Sequence, residues 1–110
     1  MKLLRYGEKG RERPGLLDRD GSIRDLSAHI DDLAGDALSA GTLARIAALD
    51  PQALPQVEGS PRLGPCVGRV GKFIAISLNY RDHAAEVDQE VPPEPVVLLK
   101  ATSSISGPND

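Results

Sequence analysis

Two apolar runs constrain this chain more than any other feature in it. Lys72-Phe73-Ile74-Ala75-Ile76-Ser77-Leu78 is almost continuously apolar, and Val96-Val97-Leu98-Leu99 is wholly so before it ends at Lys100. Runs of this length and kind form strands buried on both faces. Such strands need partner strands and a covering layer. The region from Cys66 onward holds about 45 residues, too few to bury a core of its own. The residues after Lys100 end in Gly107-Pro108-Asn109-Asp110, a turn, and cannot supply the missing layer. The expectation is a piece of a longer chain, or a region that completes itself by pairing with another molecule.

The earlier part reads differently. Lys2–Tyr6 is a short strand, Gly7–Gly10 a loop, and Pro14–Leu17 resumes the extended pattern. Asp18-Arg19-Asp20-Gly21 is a turn, and Ser22–Asp25 returns as a strand, giving a β-meander. The Asp-x-Asp-Gly here is no calcium loop, because Leu16 and Ser27 fall where the first and twelfth ligands must be carboxylates. From Leu26 the period becomes helical. Ser27 caps a short helix through Leu33 that Gly35 ends, and Ser39 caps Thr42–Leu49, whose Leu43, Ile46 and Ala47 share one face. Asp50-Pro51 stops that helix. Residues 51–65, with Pro51, Pro55, Gly59, Pro61, Gly64 and Pro65, read as a linker or a long connecting loop. Residues 1–60 are then an N-terminal α+β domain and 61–110 the start of a second, incomplete one, with the boundary near 58–70.

Charge and composition narrow the function classes. The net charge is −3, and neither half carries a basic excess, so nucleic acid has little to grip. No apolar run approaches the ~18 residues that span a bilayer, and the charged start, MKLLRYGEKG, has no signal-peptide core. A single cysteine, Cys66, cannot form an internal disulfide. The expectation is a soluble cytoplasmic protein with neither a nucleic-acid nor a membrane partner. Cys66, between Pro65 and Val67 with no neighbouring base, reads as a small buried group, and His29 as structural or solvent-facing.

The chemistry centres on His83 and Glu86. Asn79, able to cap, opens a helix-compatible stretch through Val87, directly after the first apolar run. Spacing of three puts His83 and Glu86 on one helix face. A carboxylate beside an imidazole fixes its tautomer and raises its basicity, so the pair can take a proton near neutral pH. The same spacing also makes an ordinary surface ion pair. Lys100, ending the next strand, could converge on this place and meet an anionic substrate or an oxyanion. A metal at His83 and Glu86 needs a third ligand, and none lies nearby in sequence, so no metal ligand is assigned.

The stretch Gly71–Glu86 (GKFIAISLNYRDHAAE) and the stretch Glu94–Ser103 (EPVVLLKATS) resemble the signature of the fumarylacetoacetate hydrolase superfamily. Lys2–Gly7, Pro14–Asp18 and Ile23–Leu26 resemble the small leading domain of its bacterial members, including those labelled ureidoglycolate lyase or 2-hydroxyhepta-2,4-diene-1,7-dioate isomerase. The resemblance implies an α+β fold: a small N-terminal β-meander plus helices, then the opening strands and lid helix of a mixed β-roll catalytic domain. It implies a catalytic His83–Glu86 dyad and a substrate-binding Lys100. It implies Mg²⁺ or Mn²⁺ in a full-length, homodimeric enzyme acting on a small acidic substrate. The family's metal carboxylates, an E-x-E pair and a later Asp, lie beyond the point matching Asp110. Ser77 and Arg81 depart from the family pattern, which favours Gly and a small residue there.

The expectation is thus the N-terminal part of a divalent-metal-dependent lyase, hydrolase or isomerase of small 2-oxo or 2-hydroxy acids, with ureidoglycolate lyase the leading specific activity. The 110 residues alone are expected to be inactive. The alternative is a truncated, non-catalytic packing or oligomerisation module.

Overall fold

A computed structural model describes residues 1–110. They form two compact units: Met1–Val70 with Ile105–Asp110, and Gly71–Ser104. In sequence, the second unit is inserted between two segments of the first.

In the first unit, β1 (Lys2–Tyr6), β2 (Arg13–Leu17), β3 (Ile23–Asp25) and β4 (Gln56–Val57) make an antiparallel sheet in that order. Leu3 lies opposite Leu16, and Leu17 opposite Ile23. The turn joining β2 to β3 closes as its residue types demand. The Asp18 N–H donates to the Ser22 carbonyl at 2.9 Å, and Gly21 supplies the positive φ of +85°. The Asp18 carboxylate accepts from Arg24 Nε at 3.2 Å and Gln52 Nε2 at 2.7 Å, so it holds the buried Arg24 guanidinium in place.

The helix expected from Ser27 to Leu33 does not form. Asp25 Oδ1 accepts the Ser27 N–H at 2.7 Å and Asp32 Oδ1 accepts the Leu33 N–H at 2.8 Å. Asp32 takes a donor that a helix would use for the His29 carbonyl, and only one turn closes, with His29 and Ile30 both donating to the Leu26 carbonyl. Gly35, expected as a helix stop, instead opens a 3-10 turn, Gly35–Leu38. The next helix, α1 (Ala40–Ala47), is capped by Ser39 as expected: its Oγ accepts the Thr42 N–H at 3.3 Å. It starts and stops earlier than Thr42–Leu49. Ile46 is buried and Leu43 half-buried, but Ala47 faces solvent. Leu16, Leu26, Ile46 and Leu54 form the core, with Leu3, Ile30 and Leu49 packed against it.

Residues 51–65 are not a linker but part of this unit. Proline removes a donor and leaves an acceptor, and the Pro55 carbonyl accepts the Asp25 N–H at 2.8 Å. Val57 of β4 pairs with Ile23, Leu63 bridges to Tyr6, and the Gly64 N–H donates to the Arg5 carbonyl at 2.8 Å. The change of unit falls between Val70 and Gly71, at the end of the 58–70 stretch that composition marks as the boundary.

In the second unit, β5 (Phe73–Ser77) and β6 (Val96–Lys100) form an antiparallel ladder running from Phe73 opposite Lys100 to Ser77 opposite Val96. Helix α2 (Arg81–Glu86) lies between them in sequence. Both apolar runs are strands, but within this chain they are not buried: Ile74 is 53 % exposed, Val97 59 % and Leu99 75 %. Two strands and six helical residues cannot cover two sheet faces.

Candidate functional site

Helix α2 follows β5 after the short connection Leu78-Asn79-Tyr80. Its N-cap is Tyr80, not Asn79, and no side chain caps it. Asp82 in the first turn accepts the His83 N–H at 2.9 Å, the place where an acidic group suits the helix dipole. The C-terminus closes through Asp88, whose φ of +52° lets the Gln89 N–H reach the Ala84 carbonyl at 2.9 Å and the Asp88 N–H reach the Ala85 carbonyl at 3.2 Å. This double closure is the Schellman arrangement, here made without glycine. Ala84 is the buried residue of the helix.

On the exposed side, His83 Nδ1 stands 3.3 Å from Glu86 Oε2. With Glu86 ionised, Nδ1 carries the proton and Nε2 keeps its lone pair, the arrangement of a general base. Both side chains are exposed, so the pair contributes little stability here. Lys100 lies opposite Phe73, at the end of the ladder away from the β5–α2 connection, and forms no ion pair. The chain brings His83 and Glu86 together.

No three His, Cys, Asp or Glu side chains gather as a cation site. The residues present therefore do not fit a divalent metal by themselves. Cys66, expected to be buried, is exposed. His29 is exposed as well. No helix is long and apolar enough to cross a membrane.

Sequence reasoning missed two features. One is Leu78, which takes a left-handed φ of +50° next to the dyad helix. Nothing in a leucine announces this, since the conformation favours Gly and Asn. The other is a charge chain in the first unit. Arg5 Nε meets Asp32 at 2.7 Å and its Nη2 lies 3.6 Å from Glu12, while Arg62 meets Glu12 at 3.0 Å and Asp110 at 2.6 Å. The Arg62 hydrogen bonds, with the Gly107 N–H, pull the Asp110 carboxyl down to about 2.

No protein-family model matches the chain. Over all 110 residues it is 68% identical to a protein of Burkholderia ambifaria, 69% to one of Burkholderia multivorans and 66% to one of Burkholderia cenocepacia. Each of these is provisionally named a hydrolase. The chain spans 39% of the length of each. It is similar throughout to a part of larger proteins that bear a hydrolase name.

Proposed function

We propose that the chain is the N-terminal portion of a larger fumarylacetoacetate hydrolase-like enzyme that cleaves or isomerises small 2-oxo or 2-hydroxy acids, with ureidoglycolate the first substrate to try. The observation that carries the reading is the 3.3 Å approach of His83 to Glu86 on a helix directly after a strand. The hydrolase names of the relatives support the coarser part of it. In this reading Glu86 orients the imidazole, and His83 Nε2 takes a proton from water or from a carbon acid. Burial beneath the rest of a longer chain would lower the local dielectric and strengthen the pair. Lys100 would neutralise a substrate carboxylate. A Mg²⁺ or Mn²⁺ would draw its ligands from outside these 110 residues.

The test is a chimera in which these 110 residues replace the matching segment of the Burkholderia ambifaria relative. It is assayed with ureidoglycolate and a panel of 2-oxo acids. His83→Ala and Glu86→Ala should each lower kcat by roughly 10²–10⁴-fold, the range of a general base. Full activity in both variants would remove the dyad from the mechanism.

The exposed apolar faces of β5 and β6 favour a second reading, a packing or oligomerisation module without catalysis. A sedimentation measurement showing a compact monomer at high concentration would count against it.

A further inference from the structure

We propose that Leu78 is a positioning residue for the His83–Glu86 pair: its left-handed backbone sets where α2 carries the two side chains. This role rests on the dyad reading.

Helix α2 has six residues, too few to hold a helix by its own hydrogen bonds, and its N-terminus has no side-chain cap. Its place is therefore set by the packing of the buried Ala84 and by its two ends. The C-terminal end is fixed by Asp88 at φ +52° and the paired bonds from Asp88 and Gln89. The N-terminal end hangs on a short passage from strand to helix. Ser77 is still in the ladder opposite Val96, while Tyr80 is extended at φ −122° and ψ 135°. The direction change between them falls on Leu78 at φ +50°.

An L-residue with a full side chain seldom adopts this conformation, and it persists only where the surroundings over-determine it. Leu78 is half-buried and lines a cleft of about 200 Å³ with Ile76, Asn79 and the segment Pro92-Pro93. Prolines give that segment a backbone with fixed φ, so the cleft has one stiff wall. Strand, cleft and helix are thus tied at one residue. A change in its backbone preference re-aims α2 without touching His83 or Glu86.

Two substitutions separate backbone from bulk. Leu78→Gly keeps the left-handed conformation and removes the side chain. Leu78→Val keeps an apolar side chain but, being β-branched, resists positive φ. Both are made in the 110-residue chain and in the chimera. In the short chain, NMR residual dipolar couplings read the orientation of α2 relative to the β5–β6 ladder, with the β5–β6 and β1–β4 amide shifts as the folding controls for the two units. The orientation should be kept in Leu78→Gly and change in Leu78→Val, with the control signals unmoved in both. In the chimera, Leu78→Val should lower kcat by roughly tenfold to a hundredfold, as a misplaced reacting group does, with KM changed by about twofold or less. Leu78→Gly should restore kcat to within about threefold. The proposal is overturned if Leu78→Val keeps both the helix orientation and kcat, or if Leu78→Gly loses them as Leu78→Val does. A chimera inert on every substrate overturns the dyad reading instead, and the NMR arm still decides whether Leu78 places the helix.

Discussion

Both units draw on the same aliphatic side chains and end in opposite conditions. In the first, Leu26, Leu33 and Ile46 are at most 2 % exposed. In the second, Phe73, Ile74, Ile76 and all of Val96–Leu99 remain at least 41 % exposed. The difference lies in how much chain each sheet has to cover it. In the first unit Leu26, Ile30, Leu54 and, from α1, Ile46 close over Leu16 and Leu3, and Tyr6 and Pro14 are buried as well. The strands β5 and β6 carry apolar groups at consecutive positions and so need a layer on each side. Helix α2 is too short to supply one. A continuous apolar run thus measures how much protein a strand requires around it, and a chain can form the strand without containing that protein.

That contrast can be broken or sharpened by substitution. The largest effect belongs to Leu26→Ala, which empties a fully buried site and should destabilise the first unit by about 2–5 kcal/mol in urea unfolding. A change under about 1 kcal/mol would mean that this cluster is not the core. Ile74→Ser comes next because its effect should depend on context. In the 110-residue chain it should shift stability by no more than about 0.5 kcal/mol, as surface changes do. In the chimera, with both faces covered, it should cost about 2–3 kcal/mol. Equal small effects in both would show that β5 stays uncovered in the longer protein.

A third change probes the segment Ile105–Asp110 within the first unit. A Cβ at Gly107 would run into the Leu63 carbonyl and the Gly64 backbone, neither of which can step aside. Gly107→Ala should cost about 1–3 kcal/mol and free the amides of Gly107 and Asp110 to exchange. Retained protection there would contradict the close approach. The smallest effect is titration of the same contact. Asp110 is held at about 2, below its ordinary 3.8, first by the Arg62 hydrogen bond. A depressed carboxyl adds stability above its unfolded pKa and loses it as pH falls through the folded one. The Arg62–Asp110 contact should therefore hold at neutral pH and loosen between about pH 4 and about pH 2. Arg62 side-chain NMR signals unchanged across that window would contradict it.

The residues announced much of this arrangement, and the misses have physical causes. The meander was legible because alternation and Asp-Arg-Asp-Gly act locally. The Ser39 cap and the strand character of both apolar runs were legible for the same reason. The Ser27–Leu33 helix failed because Asp32 captured the Leu33 N–H, a competition that helix spacing does not show. The linker reading failed because a proline-rich stretch still offers carbonyls to the neighbouring strand β3. At the candidate site, spacing sufficed for His83 and Glu86, which share one helix face. Lys100 ends β6 opposite Phe73, a position that antiparallel register sets. Leu78 left no mark in the sequence, because no local preference of leucine leads to a left-handed φ.

Amide hydrogen exchange tests the central contrast most directly, measured on the 110-residue chain and on the chimera. In the short chain, the ladder amides of β1–β3 should be strongly protected and those of β5 and β6 should exchange rapidly. In the chimera, the β5 and β6 amides should become as slow as those of β1–β3. Equal protection of β5 and β6 in the short chain would mean that the second unit is self-sufficient and needs no surrounding protein, which contradicts the contrast between the two units.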